Sequence, residues 1–154
     1  MGVRGRKLQK PKVNHKSRTM TIRKPISKEL RRQVYDKYNG HCAYCGCELE
    51  YKDMQVDHIV AVGRYYYDLD KEHNEILQTG DFNRISNLMP SCRTCNHYKR
   101  AESLEYFRKA VSTIPQKLGE RQYIYKVGMA YGFYDDQPRE VKFYFEREAE
   151  QYVN

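Results

Sequence analysis

Residues 42–46 read CAYCG and residues 84–100 read RISNLMPSCRTCNHYKR, so two Cys-x-x-Cys pairs, Cys42/Cys45 and Cys92/Cys95, bracket the middle of the chain. A turn that brings two thiolates together offers both to one tetrahedral ion, and two such turns complete a four-cysteine zinc site. The competing readings are a pair of disulfides or a thioredoxin-like redox motif. No apolar leader opens the chain and no βαβ pattern surrounds either pair, so reduced thiols and structural zinc are the expectation. The 46 residues between Cys45 and Cys92 would then be closed into one unit by the ion. Cys47 stands outside both pairs and is read as a bystander to the first knuckle, with substitution for a ligand as the alternative.

Working outward, Ser27 can cap a helix in which Leu30, Val34 and Tyr38 recur every four residues, and Asn39-Gly40 supplies the stop. Glu48 to Val60 alternates loosely through Leu49, Tyr51, Met54 and Val56, which predicts a short hairpin turning near Lys52-Asp53. Asp57-His58 falls at or near the end of its second strand. Residues 61–84 read as a long loop, including the run Tyr65-Tyr66-Tyr67. Residues 96–111 have helical spacing through Leu104, Phe107 and Val111. Ile114-Pro115 breaks that pattern, 120–131 is again helical, and Val141-Lys142-Phe143-Tyr144-Phe145 predicts a short strand.

The composition allows one domain with a modest core, since 40% of residues are hydrophobic, and no apolar run approaches a membrane span. The net charge of +8 is unevenly placed. Residues 1–24 hold nine basic residues and no acidic one, whereas the remaining 130 hold 19 basic against 20 acidic. A polar arm of this kind is expected to be disordered when free and to lie along a phosphate backbone when bound. An amphipathic membrane anchor does not fit, because large apolar residues are sparse in the arm and tryptophan is absent from the chain.

The strings CAYCG, VDHIVAVG (56–63) and RISNLMPSCRTCNHYKR together resemble the HNH nucleases of the ββα-metal group, in the version whose third signature residue is Asn. The resemblance covers roughly residues 31–111. It implies an α+β fold: a ββα-metal HNH core clamped by the zinc of Cys42, Cys45, Cys92 and Cys95, with flanking helices and a basic disordered N-terminal arm. The expected organisation is a flexible arm at 1–24, a nuclease domain at 25–111 and a C-terminal helical and strand appendage at 112–154. The ending VKFYFERE (141–148) also resembles the tails of HNH proteins of bacteriophages and prophages. A bacterial cytoplasmic setting and phage packaging or replication proteins as candidate partners are expectations from that likeness.

Phosphodiester hydrolysis needs a base to activate water, a cation to stabilise charge on the phosphorane and the departing 3′ oxygen, and groups that hold the phosphate in line. His58 is the natural base, because imidazole titrates near neutrality. On a regular strand Asp57 would face away from it, unless the strand ends or twists there. By the resemblance, Asp57 and Asn96 bind one hard cation, Mg2+ or Mn2+, through oxygen, and Asn87 fixes the loop and orients the catalytic His58. Lys99, one helical turn beyond Asn96, and Arg100 are read as DNA phosphate contacts. His97 departs from the commoner form, in which a histidine directly follows the last cysteine. The function implied is a metal-dependent DNA endonuclease acting by a one-metal mechanism. The alternative is a zinc-stabilised DNA-binding module without catalysis.

Overall fold

The computed structural model describes residues 24–61, 69–135, 137 and 139–151. Nearly all of the basic arm and Tyr65-Tyr66-Tyr67 lie outside the described residues. The architecture is α+β, with one two-stranded sheet and seven α-helices among the described residues. No helix of these residues is long and apolar enough to cross a membrane.

Helix α1 spans Lys28–Asp36. Ser27 caps it as expected, its hydroxyl accepting from the Leu30 amide at 3.1 Å. The chain leaves it through Asn39 (φ 51°) and Gly40 (φ 74°), as the Asn-Gly pair predicts. Val34 buries the inner face of α1, and Arg31 ties the helix to the following loop by donating to the carbonyls of Tyr51 and Met54.

Strand β1, Gln55–His58, does not form the predicted hairpin. The turn near Lys52-Asp53 exists, with the Asp53 amide bonded to the Glu50 carbonyl at 2.9 Å. However, residues 41–48 close on themselves, through a bridge between His41 and Glu48 and a 2.8 Å bond from the Cys42 amide to the Cys47 carbonyl. Their backbone groups are thus already engaged. β1 instead pairs antiparallel with the wholly buried strand β2, Leu88–Ser91, in a register that sets Asp57 opposite Met89 and His58 opposite Leu88. Pro90 has no N–H to give, but its carbonyl accepts from Ala43, so the first knuckle is hooked onto the sheet.

The loop expected at 61–84 contains helix α2, Lys71–Thr79, capped by Asp70 and stopped by Gly80. Its apolar period is thin because only Ile76 is buried, although both caps are legible in the sequence. The helix expected over 96–111 is two helices, α3 (Arg93–Lys99) and α4 (Leu104–Ser112). The chain breaks at Arg100, whose φ of 58° cannot continue a right-handed helix, and restarts where Ser103 caps α4. Pro115 ends the pattern by opening α5, Ile114–Arg121, and α6 follows at Tyr123–Ala130.

The strand expected at 141–145 is instead the approach to helix α7, Tyr144–Gln151. Its first-turn amides donate to the first knuckle: Tyr144 to the Tyr44 carbonyl at 3.0 Å and Phe145 to that of Ala43 at 2.9 Å. Glu146 folds back to accept from the Phe143 amide at 2.8 Å, the reciprocal half of a capping box. Alternating aromatics therefore mark a helix docking on a knuckle. Phe143 is buried, stacked on Phe107 of α4 at 5.2 Å and edge-on to Tyr44 at 5.4 Å. Val141, Phe143 and Phe145 share the core with the segment around the cysteines.

Arg108 of α4 clasps this junction, its guanidinium donating to both Glu146 carboxylate oxygens. Burial would raise the Glu146 carboxyl, yet Arg108 and the Phe143 amide hold it below its ordinary value. Such a depressed carboxyl stabilises the fold above the ordinary carboxylate range, and that contribution is lost as pH falls through its lowered value. Glu146→Gln is expected to cost about 1–2 kcal/mol at neutral pH and progressively less as pH falls through the lowered value of the carboxyl. Denaturant midpoints measured against pH check this; a penalty equal at both ends of the range would show that the charge is not the cause.

Candidate metal centre and active site

Cys42 lies in the core with no exposed surface, and the CAYCG turn brings Cys45 and Cys47 back beside it. Gly46 makes the turn possible: its φ is 80°, and a Cβ there would meet the Tyr144 ring at 2.7 Å. The Sγ atoms of Cys42, Cys45, Cys47 and Cys92 lie within 4.8 Å of one another, with Cys45 and Cys92 3.9 Å apart. Tetrahedral zinc with Zn–S bonds of about 2.3 Å sets its sulfurs about 3.8 Å apart, so this cluster could hold zinc. Cys95, expected as the fourth ligand, lies outside this group of four and adjoins it through its amide, which donates to Cys92 Sγ at 3.3 Å. Cys47, expected as a bystander, is inside it.

The thiols are electrostatically unequal. Cys42 is pulled down to about 4, chiefly because the Cys95 thiol donates to it and further because the amides of Cys92, Cys45 and Tyr44 do, against the opposing effect of burial. Cys95, the donor in that bond, is pushed far up. Burial first, and then the Cys45 thiol, push Cys47 up to about 12. A thiolate poised at Cys42 amid neutral neighbours suits a cation that displaces their protons on binding.

Asp57 and His58 end β1. The Asp57 side chain points inward and is 5% exposed. Its Oδ2 accepts from the Tyr44 hydroxyl and from the Lys99 ammonium, the latter at 2.9 Å. Lys99 is 1% exposed and also donates to the His58 carbonyl at 3.0 Å. Its expected role as a phosphate contact is therefore corrected: the ammonium is committed inside the protein, holding the end of β1 against α3. Burial, and then the Asp57 charge beside it, push the Tyr44 phenol well above its usual range, so it stays a donor. Tyr44 comes from the first knuckle and Lys99 from the helix begun by the second, so both knuckles grip one carboxylate oxygen. The signal for Lys99 was its one-turn spacing from Asn96, which places both on one face of α3. Tyr44 carried no such signal.

Asn87 is completely buried and pins the chain beyond β1. Its Oδ1 accepts from the Val60 amide at 2.7 Å, and its Nδ2 donates to the carbonyls of Val60 and Phe82. The Asn87 carbonyl accepts from the Ile59 amide at 3.0 Å. His58 is half-buried, and its Nε2 meets Asn83 Oδ1 at 3.2 Å. Asn83 Nδ2 donates to the Lys24 carbonyl at 3.0 Å, which orients the amide so that Oδ1 faces the imidazole. His58 Nε2 is then the donor, and the lone pair of the neutral ring sits on Nδ1. Asn83 was not singled out from the sequence, since one Asn in a polar stretch carries no spacing signal.

Asn96 is half-buried, while Arg100 is exposed just beyond α3. His97 faces a groove shared with Arg93, Thr94, Tyr98, Phe107, Val111 and Ile114, which neither Asp57 nor His58 lines. Of the two candidates after Cys95, Asn96 is the one that shares the face of Lys99.

No family model and no curated protein matches the chain. Among solved structures, it is similar to part of the Type II-C Cas9 enzyme from Actinomyces naeslundii, with 24% sequence identity and a TM-score of 0.38. That match takes in 52% of this chain and 8% of the enzyme's.

Proposed function

We propose that this chain is a metal-dependent DNA endonuclease that hydrolyses phosphodiester bonds, with His58 as general base. The observation that supports it best is the Lys99 bridge, which joins the strand end carrying Asp57 and His58 to the helix face carrying Asn96. One carboxylate and one amide are hard oxygen donors, and a site with so few protein ligands suits Mg2+ or Mn2+, which retains several waters. Tyr44 and Lys99 both use Asp57 Oδ2, so Oδ1 is the oxygen assigned to the cation. When bound, the cation supplies charge stabilisation for the phosphorane and the departing 3′ oxygen.

The chain's own residues do the rest. His58 Nδ1 takes the proton from the attacking water while Asn83 fixes the ring. Asn87 holds the loop beyond β1, so that the imidazole keeps its place at the strand end. Arg100 and the basic arm at 1–24 meet backbone phosphates, which gives affinity with little base preference.

Burial of Asp57 favours a second reading, a zinc-stabilised DNA-binding module without catalysis. Supercoiled plasmid with Mg2+ or Mn2+ separates the two. The wild type is expected to nick or linearise it, and His58→Ala to do so at least about a hundredfold more slowly. Plasmid retarded on a gel but left intact would favour the second reading, and equal cutting by both proteins would remove His58 from the role of base.

A further inference from the structure

Four thiols cluster at the metal centre, and a fifth, that of Cys95, adjoins it one helical turn beyond Cys92. Cys42, Cys45 and Cys92 belong to any plausible ligand set, because each lies within 4.8 Å of the other two and of Cys47. The fourth place has two claimants. Cys47 is held there by the backbone: its carbonyl accepts from the Cys42 amide at 2.8 Å, and the turn at Gly46 aims Cys45 and Cys47 at the same region. Cys95 reaches the cluster from α3, its amide donating to Cys92 Sγ at 3.3 Å and its thiol following Cys92 by one helical turn.

We propose that Cys47 and Cys95 exchange at the fourth position of the cysteine metal centre, the one left out remaining unligated. The proposal deepens the metal-centre reading and rests on it. The two states differ in what the metal holds. With Cys95 bound, α3 is attached through both cysteines of its first turn, and Asn96 follows directly on a ligand. With Cys47 bound, three ligands come from the first knuckle and α3 is attached through Cys92 alone, so its Asn96 face is less firmly fixed. Exchange would thus couple the cysteine centre to the candidate active site without loss of the ion.

Full-length protein reconstituted with Co2+ tests the exchange through its thiolate-to-cobalt absorption. Wild type, Cys47→Ser and Cys95→Ser are each expected to bind one ion with the same four-sulfur band. Cys47→Ser/Cys95→Ser is expected to lose about a quarter of that intensity, since three sulfurs remain. A three-sulfur band in Cys95→Ser alone would mean that Cys47 is not recruited, and one in Cys47→Ser alone that Cys95 cannot serve; either result overturns the proposal. A second readout needs no variant. Mild alkylation of the Zn2+-loaded wild type, read by mass spectrometry, is expected to place one label per chain, divided between Cys47 and Cys95. Label confined to either residue overturns the exchange. A wild type that takes up no metal overturns the underlying reading instead, so the two failures are distinguishable.

Discussion

Stripping the metal from the cysteine centre with a strong chelator is expected to abolish most of the helical circular dichroism, whereas withholding Mg2+ leaves the spectrum unchanged and stops plasmid cleavage. The knuckle is part of the core. Cys42, Ala43 and Tyr44 are all buried, the Ala43 amide holds β2, and the carbonyls of Ala43 and Tyr44 receive the first amides of α7. Losing the ion would leave several mutually repelling or unpaired thiols at the point where the sheet, α4 and α7 meet. Structural zinc contributes about 10–16 kcal/mol to the folding of small zinc domains, as much as the whole stability of a typical domain. Far-UV circular dichroism together with a metal assay checks this. An unchanged spectrum after verified removal of the zinc would show that the cysteines do not carry the fold.

Lys99→Met is expected to destabilise the protein by about 3–5 kcal/mol, because it strands a buried carboxylate. Asp57 would retain the Tyr44 hydroxyl but lose its only ion-pair partner among the described residues. Asp57→Asn in the Lys99→Met background is expected to recover most of the loss, since a neutral amide beside Tyr44 needs no counter-charge. Urea unfolding of the wild type, the two single variants and the double variant gives the coupling directly. A coupling below about 1 kcal/mol would mean that the pair is solvated rather than buried. The same substitution frees the His58 carbonyl, so any stable Lys99 variant is expected to cleave plasmid more slowly.

Local signals carried the parts of the fold that depend on neighbours in sequence. Ser27, Asn39 and Gly40 bounded α1 because a cap and a left-handed stop act within a few residues. The same signals at Asp70 and Gly80 bound α2, but a helix burying only Ile76 gives too little periodicity to stand out. The aromatic alternation at 141–145 was misleading, since two neighbouring amides there are used to dock a helix on the knuckle and not to pair a strand. The break at Arg100 was hidden because Leu104, Phe107 and Val111 keep a helical period of their own within α4.

Of the candidate site, the sequence alone determined which residues are expected to carry the proposed chemistry: the cysteine pairs, the Asp57-His58 dipeptide, Asn87 and Asn96, all singled out by type, order and spacing. It could not determine what each side chain faces. Tertiary structure alone decided that Lys99 turns inward to Asp57, that Tyr44 closes on the same oxygen, that Asn83 meets the His58 ring and that Cys47 joins the cysteine cluster. The physical reason is that spacing sets which residues lie on one turn or one strand. Burial, charge pairing and the meeting of thiols from two knuckles arise only when segments distant in sequence are packed together.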